Sequence, residues 1–226
     1  MKLTKLPRFE RSLVFFLRIK QITGFSKSSI FLFFLLFATQ SVAKTAKSIE
    51  STLSRCATCH GSDGNASANK TYPKLAGQNA VYLLRALRDF RPGIQYGRYH
   101  AVMEAEVGLL SAQEMIEIVH YYTTLPSTID AVEPNFLPLG QRLYRGGDFA
   151  KGIPACLACH GPAGLGNPLA GFPRLSGQHA AYVAAELKAF RAGKRVDHEH
   201  QMMSVIAKKM SDADIAAVAS YISGLY

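Results

Sequence analysis

Two short strings in this chain place cysteine and histidine at the same spacing. They are Cys56-Ala57-Thr58-Cys59-His60 and Cys156-Leu157-Ala158-Cys159-His160, and together they use all four cysteines. On a helix the residues at i, i+3 and i+4 share one face, so both thiols and the imidazole of each string project to one side. Three chemistries draw on such a set. Thiols that add to the vinyl groups of a haem, with an imidazole beneath the iron, need this order and spacing. A redox dithiol needs a βαβ setting, and no convincing period-2 strand is present to supply one. A tetrahedral zinc site would oblige both strings to share one metal. The motif, present twice, therefore points to two covalently bound haem c groups.

The strings belong to a larger duplication. An offset of 100 residues superposes the halves without a gap from the cysteines to the C-terminus: Pro73-Lys74-Leu75-Ala76-Gly77-Gln78 falls on Pro173-Arg174-Leu175-Ser176-Gly177-Gln178. Tyr82, Leu87, Phe90, Arg91 and Gly93 fall on identical residues at 182, 187, 190, 191 and 193, and Ser111, Tyr121 and Leu125 continue the match at 211, 221 and 225.

A ligand for the other side of each iron should recur at the same offset. Among methionines only Met103 and Met203 pair, whereas Met115, Met202 and Met210 face Ile215, Val102 and Leu110. Met103 and Met203 are the leading candidates, in polar segments that read as loops. His100 and His200 pass the same test and are the rival set, which would lower the potentials relative to His/Met ligation. His120, His179 and His198 have no histidine partner and read as surface or packing residues. Arg91 and Arg191, with Gln78 and Gln178, could meet haem propionates or brace loops.

The elements that must position these groups are helical. Leu83, Leu84, Leu87 and Phe90 recur at helical spacing before Gly93, and Val183, Leu187 and Phe190 repeat the pattern before Gly193. Ser111-Ala112-Gln113-Glu114 is a capping box opening a last helix that closes before Pro126, while Ser211 with Asp214 is its weaker counterpart. Leu139 to Arg145 reads as a further helix running into Gly146-Gly147, with no equivalent break in the first copy. Pro126 to Pro138 reads as an extended linker. The expected architecture is all-α, with two tandem cytochrome c-like domains at 44–130 and 131–226. Units of this size sit near the limit for a single apolar core, so a buried haem should complete each one.

Residues 1–43 read as a signal peptide, basic at first, then apolar from Ile30 to Ala38, with small residues Ser41 and Ala43 before the expected cleavage. The apolar run is too short to span roughly 30 Å of hydrocarbon. Of 26 Lys and Arg, seven lie in this leader with only one of 16 acids, so the rest holds 19 bases against 15 acids. That balance, offset by haem propionates, gives no reason to expect nucleic-acid binding.

On these motifs the chain resembles the dihaem cytochrome c4 family over essentially everything after the leader. The shared elements include both Cys-x-x-Cys-His strings, the Pro-x-Leu-x-Gly-Gln segments, the run from Gly171 to Tyr182, and Arg145-Gly146-Gly147. The resemblance implies His60 and Met103 on one iron, His160 and Met203 on the other, and the carbonyls of Pro73 and Pro173 accepting the Nδ1 hydrogens of the ligating histidines. It also implies a periplasmic electron carrier, loosely membrane-associated, between a quinol-oxidising membrane complex and a terminal oxidase. Ala105-Glu106-Val107 departs from the small, methionine-bearing segment that usually follows the ligand, which bears on Met103. The competing functions are a dihaem redox enzyme of peroxidase type and a fixed subunit of a membrane oxidoreductase. All four cysteines are needed for thioethers, which leaves none as an iron ligand.

Overall fold

Each half of the chain is built from helices that close around one apolar cluster. The computed structural model describes residues 49–91, 98–196 and 201–226. The leader, His198 and His200 lie outside these described residues. In the first half, α1 covers residues 49–60, and α2 (Ala80–Asp89), α3 (Ala101–Gly108) and α4 (Ala112–Thr124) follow. The second half has α5 (Leu137–Gly146), the single turn α6 (Leu157–His160), α7 (Ala180–Arg191), α8 (Met202–Ala207) and α9 (Asp212–Ser223). Among the described residues there is no sheet, only isolated bridges such as Asp148 with Ile153. The all-α expectation holds, with one apolar cluster in each half.

Local chemistry explains the helix ends. Ser111 accepts from the Glu114 amide while Glu114 bonds back to Ser111, and Ser211 and Asp214 form the same reciprocal pair. The second cap gains a further anchor, because buried Asp214 also takes Lys151 Nζ at 2.7 Å. Burial works against the Asp214 carboxylate, but Lys151 and Ser211 outweigh it and hold its carboxyl below the usual range. Gly61 and Gly161 end the motif helices at φ +78° and +79°, a backbone conformation that side chains with a Cβ rarely adopt.

In the first half Leu83, Val107, Leu110, Met115, Ile118, Val119 and Tyr122 form the buried cluster, with Ile49, Leu53 and Cys56 of α1 packed against it. In the second, Leu143, Tyr144, Val183, Leu187, Ile215, Val218 and Ile222 lie at its centre. Helix α9 packs against α5, α7 and the 3-10 turn at Pro134–Phe136, so nearly all of its residues are buried. Its contact with α5 is close because Gly140 lacks a Cβ. One built there would run into the Ala217 carbonyl oxygen and approach Tyr221 Cβ to 2.7 Å.

The stretch expected as an extended linker from Pro126 to Pro138 turns helical at Pro134, and Pro138 lies in the first turn of α5, where its missing N–H costs nothing. The remainder is sewn to both halves. Thr128 N donates to Asn65 Oδ1 at 2.9 Å, Asp130 N to the Ser223 carbonyl at 2.9 Å, and Glu133 N to Ser220 Oγ at 2.9 Å. Asp130 also takes Lys70 Nζ at 3.1 Å and His179 Nδ1 at 3.1 Å, with Lys74 Nζ at 3.4 Å. His179 is only 1% exposed, and its Nε2 donates to the Asn65 carbonyl at 2.9 Å, so this unpaired histidine ties the two halves together. Ile49–Tyr226 accordingly form one compact unit.

Two outcomes follow. Gly140→Ala should destabilise the second half by about 1–3 kcal/mol through overpacking, read as an earlier thermal transition. Burial alone would raise the Asp130 carboxyl, but hydrogen bonds from His179 and Lys70 with the charge of Lys74 hold it below the usual range. A carboxyl depressed in the folded state stabilises above its unfolded pKa and loses that contribution as pH falls through the folded value. Thermal melts of Asp130→Asn should show about 1–3 kcal/mol less stability at neutral pH and a shallower loss on acidification than the parent protein.

Candidate functional site

Each Cys-x-x-Cys-His string lies at the end of a helix. Cys56, Cys59 and His60 occupy the last turns of α1, and Cys159 and His160 lie on α6, with Cys156 as its N-cap. The second string sits on a separate turn because Gly147, at φ +73°, turns the chain out of α5 into the hairpin that precedes the motif. All four cysteines are half-buried and none is in a disulfide. Burial raises the Cys56 thiol and pushes Cys156 up to about 11, so neither is an activated thiolate of the kind a redox dithiol uses.

The imidazoles are set alike. His60 Nδ1 lies 3.0 Å from the Pro73 carbonyl oxygen, and His160 Nδ1 lies 3.0 Å from that of Pro173. A carbonyl can only accept, so Nδ1 carries the proton and Nε2 keeps its lone pair. Burial lowers both histidine pKa values, partly opposed by the proline carbonyls, and so favours the neutral ring that a metal requires. Tyr72 packs against His60 at 6.3 Å between ring centroids, and Phe172 against His160 at 6.1 Å. These aromatics were missed in the sequence, although both immediately precede a paired proline.

Met103 and Met203 lie in the first turns of α3 and α8 rather than in loops. Met103 packs against the same cluster as Cys56, and Met203 against the same cluster as Cys156. The rival His100 is exposed at the N-cap of α3. Arg55 Nε meets Glu106 Oε2 at 3.2 Å, so the residue that departs from the family pattern ties α3 to the motif helix. His120 is exposed. Beside the second motif, Ile153, Pro154, Met202, Val205 and Ile206 line an apolar groove of about 570 Å³.

Arg91 and Arg191 brace loops, donating to the carbonyls of Leu110 at 2.9 Å and Met210 at 3.0 Å. A different pair lies between the halves. Arg98 donates to Tyr182 Oη at 2.8 Å and Arg195 to Tyr82 Oη at 3.0 Å, and both pair with Glu186. Arg98 stacks over Phe90 at 4.6 Å and Arg195 over Phe190 at 4.3 Å. Burial works against the Glu186 carboxylate, but the two guanidinium groups outweigh it and hold the carboxyl low. Two cations against one carboxylate leave a buried surplus that would stabilise further anionic oxygens. The ungapped offset hid this pair, because it sets Arg98 opposite His198 and Arg195 opposite Gln95.

The set as a whole suits haem: paired thiols outside any disulfide, a neutral imidazole with one unprotonated nitrogen, and apolar walls. Comparison with known proteins decides the family. A model described as Cytochrome c matches residues 46–126 and 139–225. A cytochrome c4 from Azotobacter vinelandii is 46% identical over 179 residues, covering 76% of this chain and 84% of that protein. This chain belongs to the dihaem cytochrome c4 family. The solved structure of reduced recombinant cytochrome c4 from Pseudomonas stutzeri is similar with a TM-score of 0.75 at 40% identity, over 80% of this chain and 98% of that one. A thiosulfate dehydrogenase electron acceptor of Stutzerimonas stutzeri strain A1501 is 37% identical over 179 residues, covering 75% of this chain and 78% of that protein.

As a member of the cytochrome c4 family the protein carries two covalent haem c groups, at Cys56 and Cys59 and at Cys156 and Cys159. It is a dihaem c-type electron carrier with redox proteins as partners. Replacing Cys56 and Cys59 together with alanine should halve the covalently bound haem per chain. A haem determination on denatured protein checks this, with Cys156 and Cys159 retaining the other group.

Proposed function

We propose that this cytochrome is a periplasmic carrier with both irons six-coordinate, one between His60 and Met103 and the other between His160 and Met203. It takes electrons from a quinol-oxidising membrane complex and delivers them to a terminal oxidase. The observation that carries the reading is the duplicated half-site: a buried neutral imidazole tied to a proline carbonyl, with a half-buried methionine on the same apolar cluster as a motif cysteine. The iron of a bound haem supplies a one-electron couple. The chain supplies one imidazole and one thioether to each iron, which raises the potential relative to two imidazoles and leaves no open position for oxygen or peroxide. Pro73 and Pro173 fix the imidazole orientation. Exposure of His100 favours Met103 over it.

The domains run from 44 to 130 and from 131 to 226 after a leader of residues 1–43. A cut at Asp130 is supported by the bonds around it, since Thr128 is tied to Asn65 while Asp130 N, Ala131 and Glu133 are tied to α9. No helix among the described residues is long and apolar enough to cross a membrane. A second reading of the donor rests on the relative named as a thiosulfate dehydrogenase electron acceptor: a sulfur-compound dehydrogenase would then fill the carrier. Reduction rates with quinol-oxidising membranes and with a thiosulfate dehydrogenase separate the two.

Near-infrared magnetic circular dichroism of the oxidised protein should show two His/Met haems. Met103→Ala and Met203→Ala should each remove half of that signal and lower one midpoint potential. A high-spin or bis-histidine haem in the parent protein, or an unchanged spectrum and midpoint in either variant, would overturn the ligand assignment.

A further inference from the structure

The glutamines that recur at 78 and 178 do something the duplication alone does not require. Each reaches into the other half and grips the N–H and the C=O of one residue. Gln178 Oε1 accepts from the Lys74 amide at 2.9 Å and its Nε2 donates to the Lys74 carbonyl at 2.9 Å. Gln78 Oε1 accepts from the Arg174 amide at 2.7 Å and its Nε2 donates to the Arg174 carbonyl at 2.8 Å. Both glutamines are 7% exposed, and each Oε1 also accepts from the next amide of its own chain segment, Asn79 N at 2.8 Å and His179 N at 3.0 Å.

The gripped amides are not arbitrary. Lys74 N belongs to the same peptide group as the Pro73 carbonyl, and Arg174 N to the same group as the Pro173 carbonyl. These carbonyls are the acceptors for His60 and His160. A peptide is one resonance unit, so an acceptor on its N–H increases electron density on its oxygen. The chain of bonds therefore runs from His60 Nδ1–H, through the Pro73–Lys74 peptide, to Gln178 of the other domain. A mirror chain runs from His160 through Pro173–Arg174 to Gln78.

We propose that Gln78 and Gln178 are positioning residues through which each domain tunes the iron of the other. By polarising the proline carbonyl, the distant glutamine strengthens the hydrogen bond from Nδ1. That increases the donor strength of the imidazole and favours the ferric state of its iron. The effect is crossed: Gln178 acts on the His60 haem and Gln78 on the His160 haem. The inference rests on the proposed ligation by His60 and His160.

The test uses the full-length holoprotein with Gln178→Met and Gln78→Met, which keep bulk and remove the carboxamide. Potentials are resolved per haem by hyperfine-shifted methyl resonances assigned to each domain. Partners of a ligating histidine are typically worth 10–100-fold, and a bond one step further out should be worth roughly threefold in the ferrous-to-ferric ratio. For a one-electron couple at 59 mV per tenfold this is about 28 mV upward. Gln178→Met should raise the His60 haem and leave the His160 haem in place, and Gln78→Met should do the reverse. Arg85→Ala, which removes the 2.7 Å interdomain bond to the Gly171 carbonyl, should produce no crossed pattern. Should a methionine variant not fold, Gln178→Glu keeps an acceptor on the Lys74 amide and should move the His60 haem downward by more than the His160 haem. Equal shifts at both haems, shifts in the variant's own domain, or none at all with the fold intact would overturn the proposal. A parent protein whose spectrum lacks imidazole ligation would instead overturn the underlying ligand reading.

Discussion

An imidazole can serve an iron only if one nitrogen is committed elsewhere and the ring stays neutral. Here that commitment is the bond from Nδ1 to a proline carbonyl, made at the same distance in both halves. Much of each domain can be read as support for that carbonyl. The glycine after the motif ends the helix so that the chain can return. Amides return to close the loop, Ala66 N onto the His60 carbonyl at 2.8 Å and Gly166 N onto that of His160 at 2.8 Å. Leu75 N and Leu175 N then close onto the carbonyls of Gly64 and Gly164 at 2.7 Å in both copies. Proline suits the acceptor position because its own nitrogen has no hydrogen to satisfy in a buried turn.

Duplication kept that loop and allowed the surroundings to drift. The first copy presents its motif on a continuous helix, whereas the second inserts a hairpin pinned by Asp148, Lys151 and Asp214. Helix α9 is buried nearly all round, while α4 leaves a polar flank exposed. The two domains are thus equivalent where the imidazole is held and unlike where solvent or partners meet them. A carrier whose two halves hold the motif imidazole alike can still present two different faces.

Much of this was legible because its causes are local. Helical periodicity, the capping boxes and the Cys-x-x-Cys-His spacing act within one or two turns, and they located the helices and the haem-bearing segments. The methionine segments read as loops because α3 and α8 are short and their apolar faces are narrow. What stayed hidden depends on residues far apart in the chain. Gln178 and Lys74 are separated by 104 positions, and His179 meets Asn65 across 114. No pattern in a window of sequence marks such pairs. Gln78 and Gln178 were visible as a repeat, yet their partners were not. Arg98 and Arg195 were masked further, since their equivalence requires a three-residue shift that an ungapped comparison does not allow.

The polar character of the interface is itself informative. Two haem domains could associate through an apolar face, but the contacts here are peptide-to-carboxamide bonds and a cluster of two arginines, one glutamate and two tyrosines. Such groups are costly to bury unless nearly all are paired, and among the described residues no fully buried side-chain polar atom lacks a partner. A satisfied polar interface fixes orientation more sharply than an apolar one, because a small rotation breaks several bonds together. The tether through Asp130 and His179 keeps the halves at high effective concentration, so the paired state is the ordinary one. Both haem-bearing halves therefore meet a redox partner within one compact unit, Ile49–Tyr226.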